Sequence, residues 1–319
     1  MTIDQITCSV RQDEVPDALS FLAGRMEQCF RLGQINSYFR NRSTLRAVRR
    51  FSGDAILPVF SITPEWLRCC EAKWRRDGLS DTTINIYMRT LKCAFSDLLR
   101  SCHFPPESSP FGPDRYVIPP PRVRKIALTR PQVAALAAWN GPLHLLRERD
   151  LWMFSYLCNG INFRDMLFLR HSNIVEGEIE FVRSKTRRSG AGKRVIRAPV
   201  TPRMGKIIDR FANDPERCGD FIFPYAREGM SPEEIAMLVR REIARCNRAL
   251  RRITRELGLP DVTTYTARHS FATVLKREGV DITYISECLG HSNIVVTQTY
   301  LAGFERAERA RFASLLTEE

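Results

Sequence analysis

Apolar positions recur at helical spacing through the first hundred residues. Stretches 17–33 and 37–51 read as helices. Thr63-Pro64-Glu65 is a helix start: a capping hydroxyl, a proline at the first helical position, and an acid at the positive end of the helix dipole. Leu67, Cys70 and Trp74 then repeat on one face, and Gly78 ends the helix. Ser80 caps the next helix, which gathers Ile84, Met88, Leu91, Phe95 and Leu98 on an apolar face. Asn85, Arg89, Lys92 and Ser96 occupy the opposite face, which suits solvent or a nucleic-acid groove equally well.

The pattern changes further along. Leu128-Thr129-Arg130-Pro131 opens a helical segment that runs to about Asn159. Glu178 to Arg183 alternates as a strand does, and Arg194 to Val200 returns as its partner. Between them, Ser184 to Lys193 forms a basic loop suited to phosphate contact. Ser231-Pro232-Glu233-Glu234 starts a long helix towards Leu257, and Thr266 to Leu316 reads as helices with short breaks. The expected fold class is mainly α with a small β-sheet. Seven prolines between Pro105 and Pro121 divide the chain into a helical domain (1–104), a proline-rich linker (105–123) and a mixed α+β domain (124–319). A chain of 319 residues suits two domains at about 150 residues each.

Charge adds a partner to this outline. Lys and Arg number 49 against 36 Asp and Glu, a net charge of +13. Residues 1–126 hold 19 basic and 13 acidic side chains and the remainder 30 and 23, so both domains are basic, as a protein that grips a polyanion would be. No apolar run approaches the roughly 18 residues of a membrane span. The first residues, Met-Thr-Ile-Asp-Gln, lack a signal peptide's basic and apolar regions, so a cytoplasmic location is expected. The ten cysteines include no Cys-x-x-C pair, which argues against zinc and for reduced core thiols.

The chemistry concentrates between residues 263 and 300. Thr-Thr-Tyr-Thr-Ala-Arg-His-Ser-Phe-Ala-Thr is followed by Leu-Gly-His-Ser-Asn and then Thr-Gln-Thr-Tyr. Arg268 precedes His291 by 23 residues, and His291 precedes Tyr300 by 9. This resembles the tyrosine recombinase (phage integrase) family, whose signature is His-x-x-Arg-His, then Leu-Gly-His, then a nucleophilic tyrosine. The resemblance implies a helical core-binding domain joined to a mixed α+β catalytic domain. It also implies site-specific cleavage and rejoining of double-stranded DNA by a homotetramer acting on two sites, with accessory DNA-bending proteins as further partners. Neither a metal nor a cofactor is expected. Tyr300 is the implied nucleophile, Arg268 binds the scissile phosphate, His291 donates to a phosphate oxygen, and His269 supports the site. Lys185 matches the family's hairpin lysine, with Lys193 as its rival. Arg89, Lys92, Arg187, Arg188 and Lys193 are the implied DNA contacts. Physical chemistry asks for the same set. A tyrosine hydroxyl with an ordinary pKa of ~10 needs help to attack. An arginine fork fits phosphate, and an ammonium can protonate the leaving oxygen.

Two positions depart from the family pattern. Tyr265 replaces the histidine that opens the second box and is kept as a site residue, since its hydroxyl can donate. The first box reads Gly160-Ile161-Asn162-Phe163-Arg164-Asp165, with Asn162 where the family has arginine. This box resembles a Bacteroidetes-type branch that departs from the usual pattern yet recombines DNA. Arg149, Arg164 and Arg147 are the candidates to replace the missing cation. The alternatives are a non-catalytic DNA-binding regulator with a degenerate recombinase fold, and a relaxing topoisomerase. Integration, excision and inversion stay open.

Overall fold

A computed structural model describes residues 15–53, 56–121, 126–184, 194–211, 219–291, 294, 295, 297, 313 and 314. The chain divides into two compact units, Met1–Val123 and Arg124–Glu319.

Among the described residues the first unit has four α-helices: α1 (Ala18–Arg31), α2 (Ile35–Ser52), α3 (Pro64–Arg76) and α4 (Asp81–Ser101). Their starts follow local chemistry. The Asp17 carboxylate accepts from the backbone N–H groups of Leu19 and Ser20, and also from Leu57, which ties the entry of α1 to a distant loop. Thr63 accepts from Trp66 N at 3.1 Å and Ser80 from Thr83 N at 3.2 Å, so both hydroxyls cap as their sequence context requires. The apolar face of α4 is buried throughout. Its polar face divides: Arg89 and Lys92 are exposed, whereas Asn85 is buried and donates from Nδ2 to Pro119 O at 2.7 Å. Asn85 therefore cannot line an open groove. The carbonyl that buries it comes from the proline-rich stretch read as a linker, and that stretch packs on this unit. Phe111 and Tyr116 are buried there, with Phe111 edge-on to Phe95. Prolines limit backbone hydrogen bonding, but two aromatics among them bury enough apolar surface to hold the segment down.

The second unit contains α5 (Arg130–Ala138), α6 (Leu143–Leu157), α7 (Phe163–Leu167), β1 (Ile174–Val175), β2 (Glu178–Val182), β3 (Val195–Pro199), α8 (Pro202–Arg210), α9 (Pro232–Glu256), α10 (Thr266–Arg277) and α11 (Ile282–Cys288). The segment expected to be one helix to Asn159 is two, α5 and α6, because Gly141-Pro142 interrupts it. The strands form an antiparallel sheet in the order β1-β2-β3, with Glu178 opposite Pro199 and Val182 opposite Val195. Strand β1 has two residues, too short to leave an alternating pattern. Trp152 and Phe154 of α6 lie fully buried at the core, and α9 and α10 pack on that helix. Mainly helical with one small sheet, the fold is of the class read from the sequence.

Among the described residues no helix is long and apolar enough to cross a membrane. Cys70, Cys158, Cys246 and Cys288 are buried, but Cys69, Cys93 and Cys102 are exposed, so the reading of the cysteines as core residues holds for only part of the set.

Candidate active site

The site is built where α10 crosses the end of α6. Trp152 Nε1 donates to Thr263 O at 3.0 Å, Asn247 Oδ1 accepts from Thr264 N at 2.7 Å, and Ser270 Oγ accepts from Leu128 N at 2.9 Å. These bonds fix the position of α10. Arg268 then lies buried on it and donates to Gly160 O (Nη1, 3.0 Å) and to Leu289 O. Gly160 follows α6 with φ +61°, and a Cβ there would lie 2.8 Å from the Arg268 Cα. Only glycine permits both the backbone conformation and the approach.

His291 meets Arg268 from the other side. Its Nε2 lies 3.0 Å from Arg268 Nη2 and its Nδ1 lies 2.9 Å from Thr297 Oγ1, which is fully buried. A guanidinium nitrogen only donates. Nε2 is therefore the acceptor, the proton sits on Nδ1, and Nδ1–H donates to the threonine. In this state His291 receives a bond from Arg268 at the nitrogen expected to donate to phosphate. An incoming phosphate that takes over Arg268 would release that nitrogen, which donates only once it takes up a proton.

The hairpin completes the cluster. The burial pattern of β2 places Ile179 and Phe181 inward, and Arg183 continues that parity one residue past the strand. It is 8% exposed, and its Nη1 lies 3.3 Å from Leu289 O and 3.4 Å from Gly290 O. Arg183 and Arg268 thus address the same carbonyl at the C-terminal end of α11, where helix carbonyls lack internal partners and the dipole favours cations. Gly290, with φ +61°, makes room for the hairpin: a Cβ there would lie 2.5 Å from Ile196 Cδ1 and 3.1 Å from Arg183 Cδ. Arg183 was missed from the sequence, although a charged residue on the inward face of a strand is a readable signal.

The first box keeps two positioning roles. Besides the Gly160 carbonyl, Asp165 Oδ1 accepts from Ser184 N at 3.1 Å and so holds the chain next to Lys185. Asn162 itself is half-buried at the start of α7. None of the three expected substitutes has a described bond to the Arg268–His291 pair. Arg149 is buried and forked onto Asp150 (Nη2, 2.6 Å), with Nη1 on the carbonyls of Trp139 and Ala137. Arg147 lies 5.1 Å over the Phe211 ring. Arg164 is exposed on a pocket with Asp165 and Ser184, whose lining includes neither Arg268 nor His291. Tyr265 is half-exposed, edge-on to the buried His269 ring at 4.8 Å. Tyr300, Lys185, Arg187, Arg188 and Lys193 lie outside the described residues. Among the described residues no group of His, Cys, Asp and Glu is arranged to hold a metal ion.

The architecture is that of the DNA integrases. The Tn1549 transposon integrase, solved with a circular intermediate DNA, superposes with a TM-score of 0.65 at 18% identity, covering 93% of this chain and 99% of that one. A lambda integrase dimer bound to a COC′ core site gives 0.55 at 17%, covering 93% and 92%. At such identities the likeness is one of fold. In sequence, tyrosine recombinase XerA of Thermococcus onnurineus is 26% identical over 238 residues, covering 72% of this chain and 73% of that protein. The model of the phage integrase family matches residues 146–306, and the chain belongs to that family.

Proposed function

We propose that this protein is a site-specific DNA recombinase that cuts and rejoins duplex DNA through a 3′-phosphotyrosyl link to Tyr300. The observation that carries the reading is the buried Arg268–His291 pair at 3.0 Å, held by backbone carbonyls from the ends of two helices. The same reading assigns core-site binding to the first unit, with Arg89 and Lys92 among its contacts, and catalysis to the second. Tyr300 Oη gives up its proton to solvent, attacks phosphorus and forms the Oη–P bond as the P–O5′ bond breaks. Arg268 neutralises charge on the non-bridging oxygens, and fixed donors of this kind contribute several kcal/mol in a site that excludes water. Lys185 protonates the departing 5′ oxygen. The half-exposed Tyr265 reaches the DNA backbone through its hydroxyl, and His269 positions its ring. Rejoining reverses these steps on a new 5′ hydroxyl, so no external energy source enters. Four copies act on two DNA sites, and site orientation decides among integration, excision and inversion. The unusual first box fits an active Bacteroidetes-type enzyme whose clamping charge comes from elsewhere.

Asn162 at the arginine position favours one other reading, a regulator that binds DNA without cutting it. Trapping on nicked duplexes tiled from the DNA flanking the gene separates the two. An SDS-resistant protein–DNA adduct that disappears in Tyr300→Phe is the expected result. Tight, sequence-selective binding without an adduct overturns it in favour of the regulator.

A further inference from the structure

The first box lacks its arginine, yet the cluster around Leu289 contains two guanidiniums. Arg183 and Arg268 both lie within hydrogen-bond reach of Leu289 O, one from the hairpin and one from α10. Two donors on one acceptor stand at most about 6–7 Å apart. A phosphate held by charge-assisted bonds of about 2.7–2.9 Å from each side spans such a gap. We propose that Arg183 supplies the second phosphate-clamping guanidinium of the site, in place of the residue missing at Asn162. This rests on the recombinase reading above.

Three observations single out Arg183. It is buried, so its charge acts where screening by water is weak. Its Nη1 is held by the carbonyls of Leu289 and Gly290 at the end of α11, the same place that Arg268 addresses. The glycine of Leu289-Gly290-His291 leaves space for its stem, which links the hairpin to the motif that carries His291. Two other arginines are held by carboxylates. Arg149 is locked to the fully buried Asp150. Arg194, on the other side of the hairpin, is half-exposed, pairs with Glu287 at 3.5 Å and donates to His291 O.

The test follows adduct formation by the full-length protein on the nicked duplex that traps the wild type, with DNA binding measured in parallel. Arg183→Ala is expected to bind DNA as the wild type does and to cleave roughly 10²–10³-fold more slowly, the usual loss for one transition-state donor. Arg183→Lys keeps the charge without the fork and recovers only part of the rate, whereas Arg194→Ala stays close to wild type. The same proteins are then assayed on a duplex with a methylphosphonate at the scissile position, which removes the charge that Arg183 would neutralise. The deficit of both Arg183 variants should shrink there. Cleavage by Arg183→Ala within threefold of wild type overturns the proposal. If Arg183→Ala fails to fold, Arg183→Lys decides, and an equal deficit on charged and uncharged phosphate overturns the proposal by assigning Arg183 a structural role. A wild type that binds its site and never forms an adduct overturns the recombinase reading itself.

Discussion

Gly160 and Arg268 lie in backbone contact: a Cβ on Gly160 would stand 2.8 Å from the Arg268 Cα, and Arg268 donates to the Gly160 carbonyl at 3.0 Å. The first and second sequence boxes therefore act as one structural piece. Gly160→Ala adds left-handed backbone strain of about 1–2 kcal/mol and an overpacking cost of about 1–3 kcal/mol. A lower melting temperature and slower adduct formation are expected together. A variant with wild-type rate would show that Arg268 does not depend on this contact.

Thr297 accepts from His291 Nδ1–H in the tautomer that Arg268 imposes by donating to Nε2. Thr297→Val leaves Nδ1–H buried without its acceptor, at a cost of about 1–3 kcal/mol. Nitrogen NMR of the five histidines should show the His291 ring as the Nδ1–H form in the wild type and in the variant alike, since Arg268 still donates to Nε2, while a lower melting temperature reads the lost bond. An Nε2–H signal in the wild type would contradict the assignment.

Arg149 and Arg183 should separate stability from activity. Removing Arg149 leaves Asp150, which is 1% exposed, with Arg210 as its remaining ion-pair partner among the described residues. Arg149→Ala is expected to destabilise the protein by about 3 kcal/mol. At low temperature, where the variant is folded, it should still cleave. Denaturant titration beside adduct kinetics reads both quantities, and intact stability with lost cleavage would return Arg149 to the active site.

Asp17 should make the first unit acid-sensitive. Burial pushes its carboxyl up, but hydrogen bonds from Ser20 Oγ and from the N–H groups of Leu57, Ser20 and Leu19 together outweigh that and leave it below the usual carboxylate range. A carboxyl lowered by folding stabilises at neutral pH, and that contribution is lost as pH falls through its folded pKa. Asp17→Ala should cost about 1–2 kcal/mol near neutrality. The gap to wild type should narrow as pH falls from about 4, the ordinary aspartate value, through the lower folded value. A gap in urea midpoint that is independent of pH would assign the effect to packing.

Local chemistry made much of the molecule legible. Thr63, Ser80 and Ser231 cap their helices because a hydroxyl reaches only the backbone two or three residues on, so a few residues carry the whole signal. The buried face of α4 followed from spacing alone, since helical geometry ties side-chain direction to position. The order and spacing of Arg268 and His291 also named the family, and the two do meet.

What tertiary structure alone decided is how distant groups share one another. Arg183 and Leu289 are 106 residues apart, and only the packing of the hairpin against Gly290 brings a guanidinium to that carbonyl. Arg149 looked available in the sequence and is locked to its own neighbour, Asp150. Asn85 sat on a polar face until Pro119 covered it. Periodicity reports which way a side chain leaves its own helix or strand. It carries no information about which other element arrives there, because that is settled by the packing of the whole core.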